Sequence, residues 1–270
     1  MLYVQSLSKT FNPGTPDQVE ALRGISLKVE EGQFVTVIGT NGSGKSTLLN
    51  AVAGTFVPDA GRVGVAGKDV TRWPEHRRAR FIGRVFQNPF LGTAPHMSIA
   101  ENLALATRRG RRRGIGWLLP AGLRRQMRER VEELKMGLED RLDNEIGTLS
   151  GGQRQALTLL MASWHKPQLL LLDEHTAALD PKTADQVVRL TREIVARDKL
   201  TTLMVTHSMQ QAVNLGDRLI MMHRGQIIHD FQGAERGRLR VEDLLNRFDE
   251  VRRMEQLDAG AAELLRAAYV

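Results

Sequence analysis

The sequence contains no cysteine. That excludes disulfides, thiolate metal sites and cysteine nucleophiles, and it fits a reducing compartment. No run of about 18 apolar residues occurs, so no segment is expected to cross a bilayer as a helix. The first residues, Met1-Leu2-Tyr3-Val4-Gln5, lack a basic stretch followed by an apolar core, so no secretory signal is expected. Internal repeats and low-complexity tracts are also missing. Aromatic residues make up only 5% of the chain, and none stands inside its runs of arginine. A stacking platform for single-stranded nucleic acid needs such interleaving, so no nucleic-acid partner is expected.

What remains is an ordinary globular composition. The chain has 270 residues, 41% hydrophobic and 26% charged, enough for one domain with a sizeable core or a core plus a subdomain. Net charge is +7, with the arginines clustered at Arg108, Arg109, Arg111, Arg112 and Arg113 and again at Arg124, Arg125, Arg128 and Arg130. Two readings of these clusters stand side by side, a solvated helix and loop face or a contact with an anionic membrane surface.

Residues 1–11 and 19–29 read as extended, half-apolar segments on either side of the turn-rich Asn12-Pro13-Gly14-Thr15-Pro16. Phe34-Val35-Thr36-Val37-Ile38 reads as a buried strand, and residues 46–53 as a helix stopped by Gly54. Another strand is expected over residues 81–86. From Asn88 to Thr148 helical spacing and arginine dominate, which reads as an inserted helical subdomain. Strands resume at residues 169–172, 202–205 and 219–222 with helices between them, giving an α/β core with a mostly parallel sheet. Arg224-Gly225 reads as a hairpin turn. In the tail, Leu244, Leu245, Phe248, Val251 and Leu257 fall at helical spacing, a stripe expected to be buried on its own domain or on a partner.

Between the first strand and helix of this core lies Gly39-Thr40-Asn41-Gly42-Ser43-Gly44-Lys45-Ser46, a complete G-x-x-x-x-G-K-[ST] phosphate loop in the strand–loop–helix context it requires. Its glycines let successive N–H groups aim at phosphate oxygens with a helix dipole behind them. Lys45 is expected to neutralise the β- and γ-phosphates, and Ser46 to ligate Mg²⁺. Leu169-Leu170-Leu171-Leu172-Asp173-Glu174 ends a buried strand on two carboxylates, at the sheet edge where α/β proteins bind ligands. Asp173 is the expected second anchor of the metal. Glu174, aimed to the other side of the strand end, is the expected general base for the attacking water.

Between these two motifs stands Leu149-Ser150-Gly151-Gly152-Gln153, and the three together resemble the ATP-binding-cassette (ABC) family, over residues 1–234. The resemblance implies a P-loop (RecA-like) ATPase core with an N-terminal antiparallel β subdomain. It also implies an inserted helical subdomain at residues 88–150, ending in the signature, and a helical tail at residues 235–270. The nucleotide it implies is ATP with Mg²⁺, sandwiched in a head-to-tail dimer between one copy's phosphate loop (Asn41, Gly42, Ser43, Gly44, Lys45, Ser46 and Thr47) and the other copy's Ser150, Gly151, Gly152 and Gln153. By the same resemblance Gln87 touches Mg²⁺ and the attacking water, His207 hydrogen-bonds the γ-phosphate, and Asp180 belongs to the loop that communicates across the dimer. Phe11 stands where the family stacks an aromatic ring on adenine, although such a residue is also at home in a core.

Two positions depart from the usual family pattern. His175 follows Glu174 where most members have proline, and Thr176-Ala177-Ala178 does not end in serine. Asp-Glu-His-Thr-Ala-Ala-Leu-Asp-Pro resembles a subgroup of bacterial import ATPases, some linked to aromatic amino acids. That implies a cytoplasmic ATPase held on the inner face of the membrane by a separate permease and working with a periplasmic binding protein. The alternative from another class is a soluble accessory ATPase of the kind used in iron–sulfur cluster assembly.

Overall fold

The structure, a computed structural model, describes residues 1–110, 121–251 and 253. Two strands, β1 (Leu2–Phe11) and β2 (Val19–Val29), flank the Pro/Gly turn and pair antiparallel with Phe11 opposite Val19. The chain then enters β3 (Phe34–Gly39), buried at all six positions, a pattern that fits only a strand covered on both faces. Helix α1 (Lys45–Ala53) follows and stops at Gly54, whose left-handed φ of 87° suits a residue without Cβ. Strands β4 (Ala60–Val65) and β5 (Lys68–Asp69) return to β1 and complete an antiparallel sheet of order β2-β1-β4-β5.

After the single turn α2 (Glu75–Arg78), β6 (Ile82–Val85) opens the parallel half of the molecule. Residues 88–150 then leave the sheet. Within them lie α3 (Ile99–Thr107), opened by a Ser98/Glu101 capping box, and α4 (Ala121–Glu132). The chain returns through α5 (Gly151–Ser163), β7 (Leu169–Asp173), α6 (Pro181–Asp198), β8 (Thr201–Val205), α7 (Met209–Asn214) and β9 (Arg218–His223). The Arg224-Gly225 turn leads into β10 (Gln226–Gln232), then α8 (Gly233–Arg238) and a helix over residues 241–251. The boundary expected between residues 234 and 235 thus falls inside α8.

Six strands form the second sheet, in the order β10-β9-β3-β8-β7-β6, parallel throughout except for β10 on the edge. Period-two alternation splits its side chains between two cores. Leu170, Leu172 and Met204 join the core under α3, α4, α5 and α6, whereas Leu169, Leu171 and Leu203 join the core shared with α1 and the antiparallel sheet. Each buried leucine contributes about 2 kcal/mol relative to exposure, so a one-residue slip of β7 would misplace four of them. The alternation also aims Asp173 at the α1 face, as the next member of the Leu169 and Leu171 row.

Arg78 is 1% exposed, and its guanidinium donates to the carbonyls of Ala51, Val52, Thr71 and Trp73. It thereby satisfies the last turn of α1, and burial pushes its pKa down to about 10. A Cβ on Gly54 would come within 2.5 Å of its Nε, so the glycine also makes room for this arginine. The tail stripe packs on its own domain. Leu244 and Phe248 are buried with Ile38, Leu219, Met221 and Phe231, Val251 lies against them, and Leu245 stays exposed. Leu257, Arg111, Arg112 and Arg113 lie outside the described residues.

Candidate nucleotide site

The phosphate loop leaves β3 at Gly39 and folds back under the ends of β2 and the β9–β10 turn. Gly225 N–H donates to Ser43 O, and Gly225 O accepts from Arg23 N–H, so the hairpin turn clamps the loop against β2. Two glycines are demanded by this crowding. A Cβ on Gly39 would sit 2.3 Å from Met222 O, and one on Gly44 2.3 Å from Ala21 O, with Gly44 also in the left-handed region at φ +96°. Gly42, by contrast, has open space on its Cβ side. The loop is therefore tight where it touches protein and open on the face carrying Asn41, Gly42 and Ser46.

Lys45 is 5% exposed, and its ammonium donates to Gly39 O and Thr40 O at 2.9 Å each. Burial lowers its pKa, while Glu174 and Asp173 oppose that shift. Ser43 is 1% exposed and its hydroxyl has no hydrogen-bond partner among the described residues. An orphaned donor beside open loop amides fits the oxygens of a phosphate chain.

Ser46 Oγ donates to Asp173 Oδ1 at 3.2 Å, bringing together the two residues expected to hold the metal. Burial raises the Asp173 carboxyl above its ordinary range, partly offset by Arg84, Ser46, Lys45 and His207. Two hard oxygen donors at a helix N-terminus suit Mg²⁺, which takes few protein ligands and completes its shell with phosphate and water oxygens. Arg84 was not singled out from the sequence. It lies on β6 with Nη2 3.9 Å from Asp173, pairs with Glu75 and covers the Phe86 ring at 4.4 Å.

Glu174 extends the sheet by one bond, its N–H donating to Val205 O at 3.0 Å. Its φ of 45° turns the side chain off the strand, and Glu174 Oε1 comes within 2.6 Å of His207 Nε2. These residues line one cleft of about 500 Å³ together with Phe11, Val19, Ala21 and loop residues 41–47. Phe11 stands at the rim, 37% exposed, with its ring edge-on to Phe56 at 5.5 Å and Lys9 Nζ 5.6 Å from its centroid. It is not a core aromatic.

The other expected residues gather elsewhere. Ser150 caps α5, its Oγ accepting from Gln153 N–H and Gln153 Oε1 accepting from Ser150 N–H, both at 3.3 Å. A Cβ on Gly152 would lie 1.9 Å from Thr183 Cγ2, because the start of α6 crosses at that point. Asp180 caps α6 by accepting from Thr183 N–H at 3.1 Å. Ser150, Gly151 and Asp180 thus form a second, exposed cluster. None of Ser150, Gly151, Gly152, Gln153, Asp180 or Gln87 lines the phosphate-loop cleft of its own chain. Gln87 is exposed at the end of β6, whose neighbour Phe86 ties to the signature helix through a Gln155 Nε2 to Phe86 O bond of 3.2 Å. Arg154 was also missed. It is 3% exposed, donates to the carbonyls of Ile146, Gly147 and Leu149, and so holds the segment that presents the signature.

Comparison with known proteins gives this geometry its family. A family profile described as ABC transporter matches residues 22–177. A "Tyrosine transport ATP-binding protein" of Clostridioides difficile is 42% identical over 251 residues, covering 92% of this chain and 99% of that protein. A "Lipoprotein-releasing system ATP-binding protein LolD" of Ruegeria pomeroyi is 36% identical, covering 84% and 96%. Among solved structures, a dimeric ATP-binding cassette in a post-hydrolysis state, bound to ADP and Pi, superposes with a TM-score of 0.73 at 27% identity, covering 86% of this chain and 98% of that one. A transporter cassette in its ADP conformation gives 0.74 at 28% identity, covering 91% and 94%. No helix among the described residues is long and apolar enough to cross a membrane. The chain belongs to the ABC transporter family, as an ATP-binding subunit that hydrolyses ATP with Mg²⁺ as its ion.

Proposed function

We propose that this subunit powers a bacterial importer of a small, amino-acid-like solute, acting as a pair of copies beneath a permease encoded on another chain and served by a periplasmic binding protein. The observation that carries the reading is the near end-to-end likeness to the tyrosine transport ATP-binding protein, with 92% of this chain matched. In this reading the chain sits on the inner face of the membrane, held there by the permease.

The division of residues into two clusters supports a sandwich of two copies. Asn41 to Thr47 bind the phosphates of one ATP and Phe11 meets its adenine, while Ser150, Gly151, Gly152 and Gln153 of the second copy close on the same nucleotide. The exposed N-terminus of α5 supplies oriented N–H groups for that contact. Asp180, at the start of α6 beside the signature, carries the communication between the copies. Mg²⁺, held by Ser46 and Asp173 with Gln87 joining them, would neutralise phosphate charge. Glu174 takes the proton of the attacking water as general base, and His207 holds the carboxylate and the γ-phosphate end in place. Residues 1–234 do this work, residues 88–150 pass the motion to the permease, and residues 235–270 form the tail.

The test is a pull-down of tagged Glu174→Gln protein, with ATP and Mg²⁺, from detergent-solubilised membranes of its host. Co-elution of a multi-pass protein is expected, and its identity then names the solute class. Recovery of soluble partners only would overturn the importer reading in favour of an accessory ATPase.

A further inference from the structure

His175 has no part in the chemistry above, yet it is 1% exposed and directly follows Glu174. Its Nε2 lies 3.0 Å from Thr191 Oγ1 on α6, and that hydroxyl donates to Val187 O at 2.8 Å. The threonine proton is committed, so the bond between the two side chains uses the proton on His175 Nε2. Nδ1 is then a bare acceptor, and it has no hydrogen-bond partner among the described residues. Burial holds the ring neutral, with its pKa pushed down to about 4. A buried unpaired acceptor is costly, and an apolar ring would fill the same space without one. The polar ring makes one bond, and that bond ties the turn after β7 to α6.

Glu174 depends on that turn. It is a non-glycine residue in the left-handed region, a conformation that persists only where its surroundings hold it. The other side of the turn is held as well. Gln211 Nε2 donates to Thr176 Oγ1 at 3.1 Å, and Gln211 Oε1 accepts from Thr206 Oγ1 at 3.0 Å. Ser208 N–H in turn donates to Thr206 Oγ1 at 3.1 Å, which brings the His207 loop into the same network. Residues 175 and 176 therefore brace Glu174 from α6 and from the His207 loop, and the 2.6 Å contact between Glu174 and His207 lies inside this frame.

We propose that His175 is a positioning residue for ATP hydrolysis, its bond to Thr191 fixing the left-handed turn from which Glu174 reaches His207. The inference rests on the assignment of Glu174 as general base. Steady-state ATPase kinetics, nucleotide titration and thermal melting on the full chain test it, using His175→Phe, His175→Gln, Thr191→Val and the His175→Phe/Thr191→Val double variant. His175→Phe and Thr191→Val are each expected to lower kcat about tenfold with KM for ATP within about twofold, and the double variant to be no worse than either. The glutamine amide places an N–H near the original Nε2, so His175→Gln is expected to stay within about threefold of wild type. A folded His175→Phe with wild-type kcat would overturn the proposal, as would glutamine performing no better than phenylalanine. Should His175→Phe fail to fold, the near-isosteric Thr191→Val decides by the same kcat criterion. Glu174→Gln is run in parallel. If it turns over like wild type, the base assignment falls and this inference with it. If it is inactive while His175→Phe is not impaired, this inference alone falls.

Discussion

At the scale of single residues, the site works through groups held in states that phosphate would improve. Among the described residues, Lys45 is a buried ammonium satisfied by the carbonyls of its own loop, and Ser43 is a buried hydroxyl with no hydrogen-bond partner. Removing the ammonium leaves Gly39 O and Thr40 O without this donor and leaves the polyphosphate without its nearest buried cation. Lys45→Ala is therefore expected to weaken ATP binding by about a hundredfold or more, since charge-assisted bonds are the strong ones and two or more are lost. Titration with a fluorescent nucleotide checks this, and unchanged affinity would remove Lys45 from its role. The sequence made Lys45, Ser46, Asp173 and Glu174 legible because their types follow one another at fixed spacing in contiguous motifs. It did not make Arg84, His175 or Gln211 legible as parts of the site. Their importance arises from side chains that tertiary folding brings to them, Thr191 from 16 positions away for His175, Thr176 from 35 positions away for Gln211, and Asp173 from the neighbouring strand β7 for Arg84.

At the scale of elements, the strands were readable because a doubly covered parallel strand is apolar at nearly every position, as β3 and β7 are. Helix α1 was readable from the phosphate loop at one end and Gly54 at the other. What the linear pattern does not disclose is how α1 is finished. Its last carbonyls are met by Arg78, a residue that reads as one more charge in a basic turn but is one of the most buried side chains in the chain. Arg78→Met keeps much of the volume and removes every donor, leaving buried carbonyls unpaired. The expected cost is about 2–4 kcal/mol, or roughly a 5–10 °C fall in melting temperature for a domain of this size. Calorimetry reads it directly, and a melting temperature within about a degree of wild type would contradict the account. The tail obeys the same logic. Its stripe reads from spacing, but which members are covered follows from where Phe231 and Met221 stand, and so Leu244 is buried while its neighbour Leu245 is exposed.

At the scale of the whole molecule, one chain carries both the phosphate-loop cleft and the signature cluster but does not bring them together. Glu174, His207, Lys45 and Ser46 share a cleft, whereas Ser150 and Gly151 face away on the tip of a capped helix beside Asp180. On the proposed sandwich, completing the site takes a second copy turned end to end. That arrangement is invisible to strand and helix periodicity, and it reached the sequence reading only through the likeness of Leu149-Ser150-Gly151-Gly152-Gln153 to a known signature. Glu174→Gln joins the residue scale to this one. On the proposed roles it preserves shape and the contact with His207 while removing the base, so ATP is expected to stay bound and the closed pair to fail to reopen by hydrolysis.

Light scattering of purified Glu174→Gln with ATP and Mg²⁺, alongside its turnover rate, is therefore the most direct measurement. The expected result is a loss of turnover of at least about a hundredfold and a particle of twice the 30.2 kDa chain mass, returning to a single chain when ATP is withheld. Hydrolysis near the wild-type rate, or a nucleotide-loaded protein that remains a single chain, would contradict it.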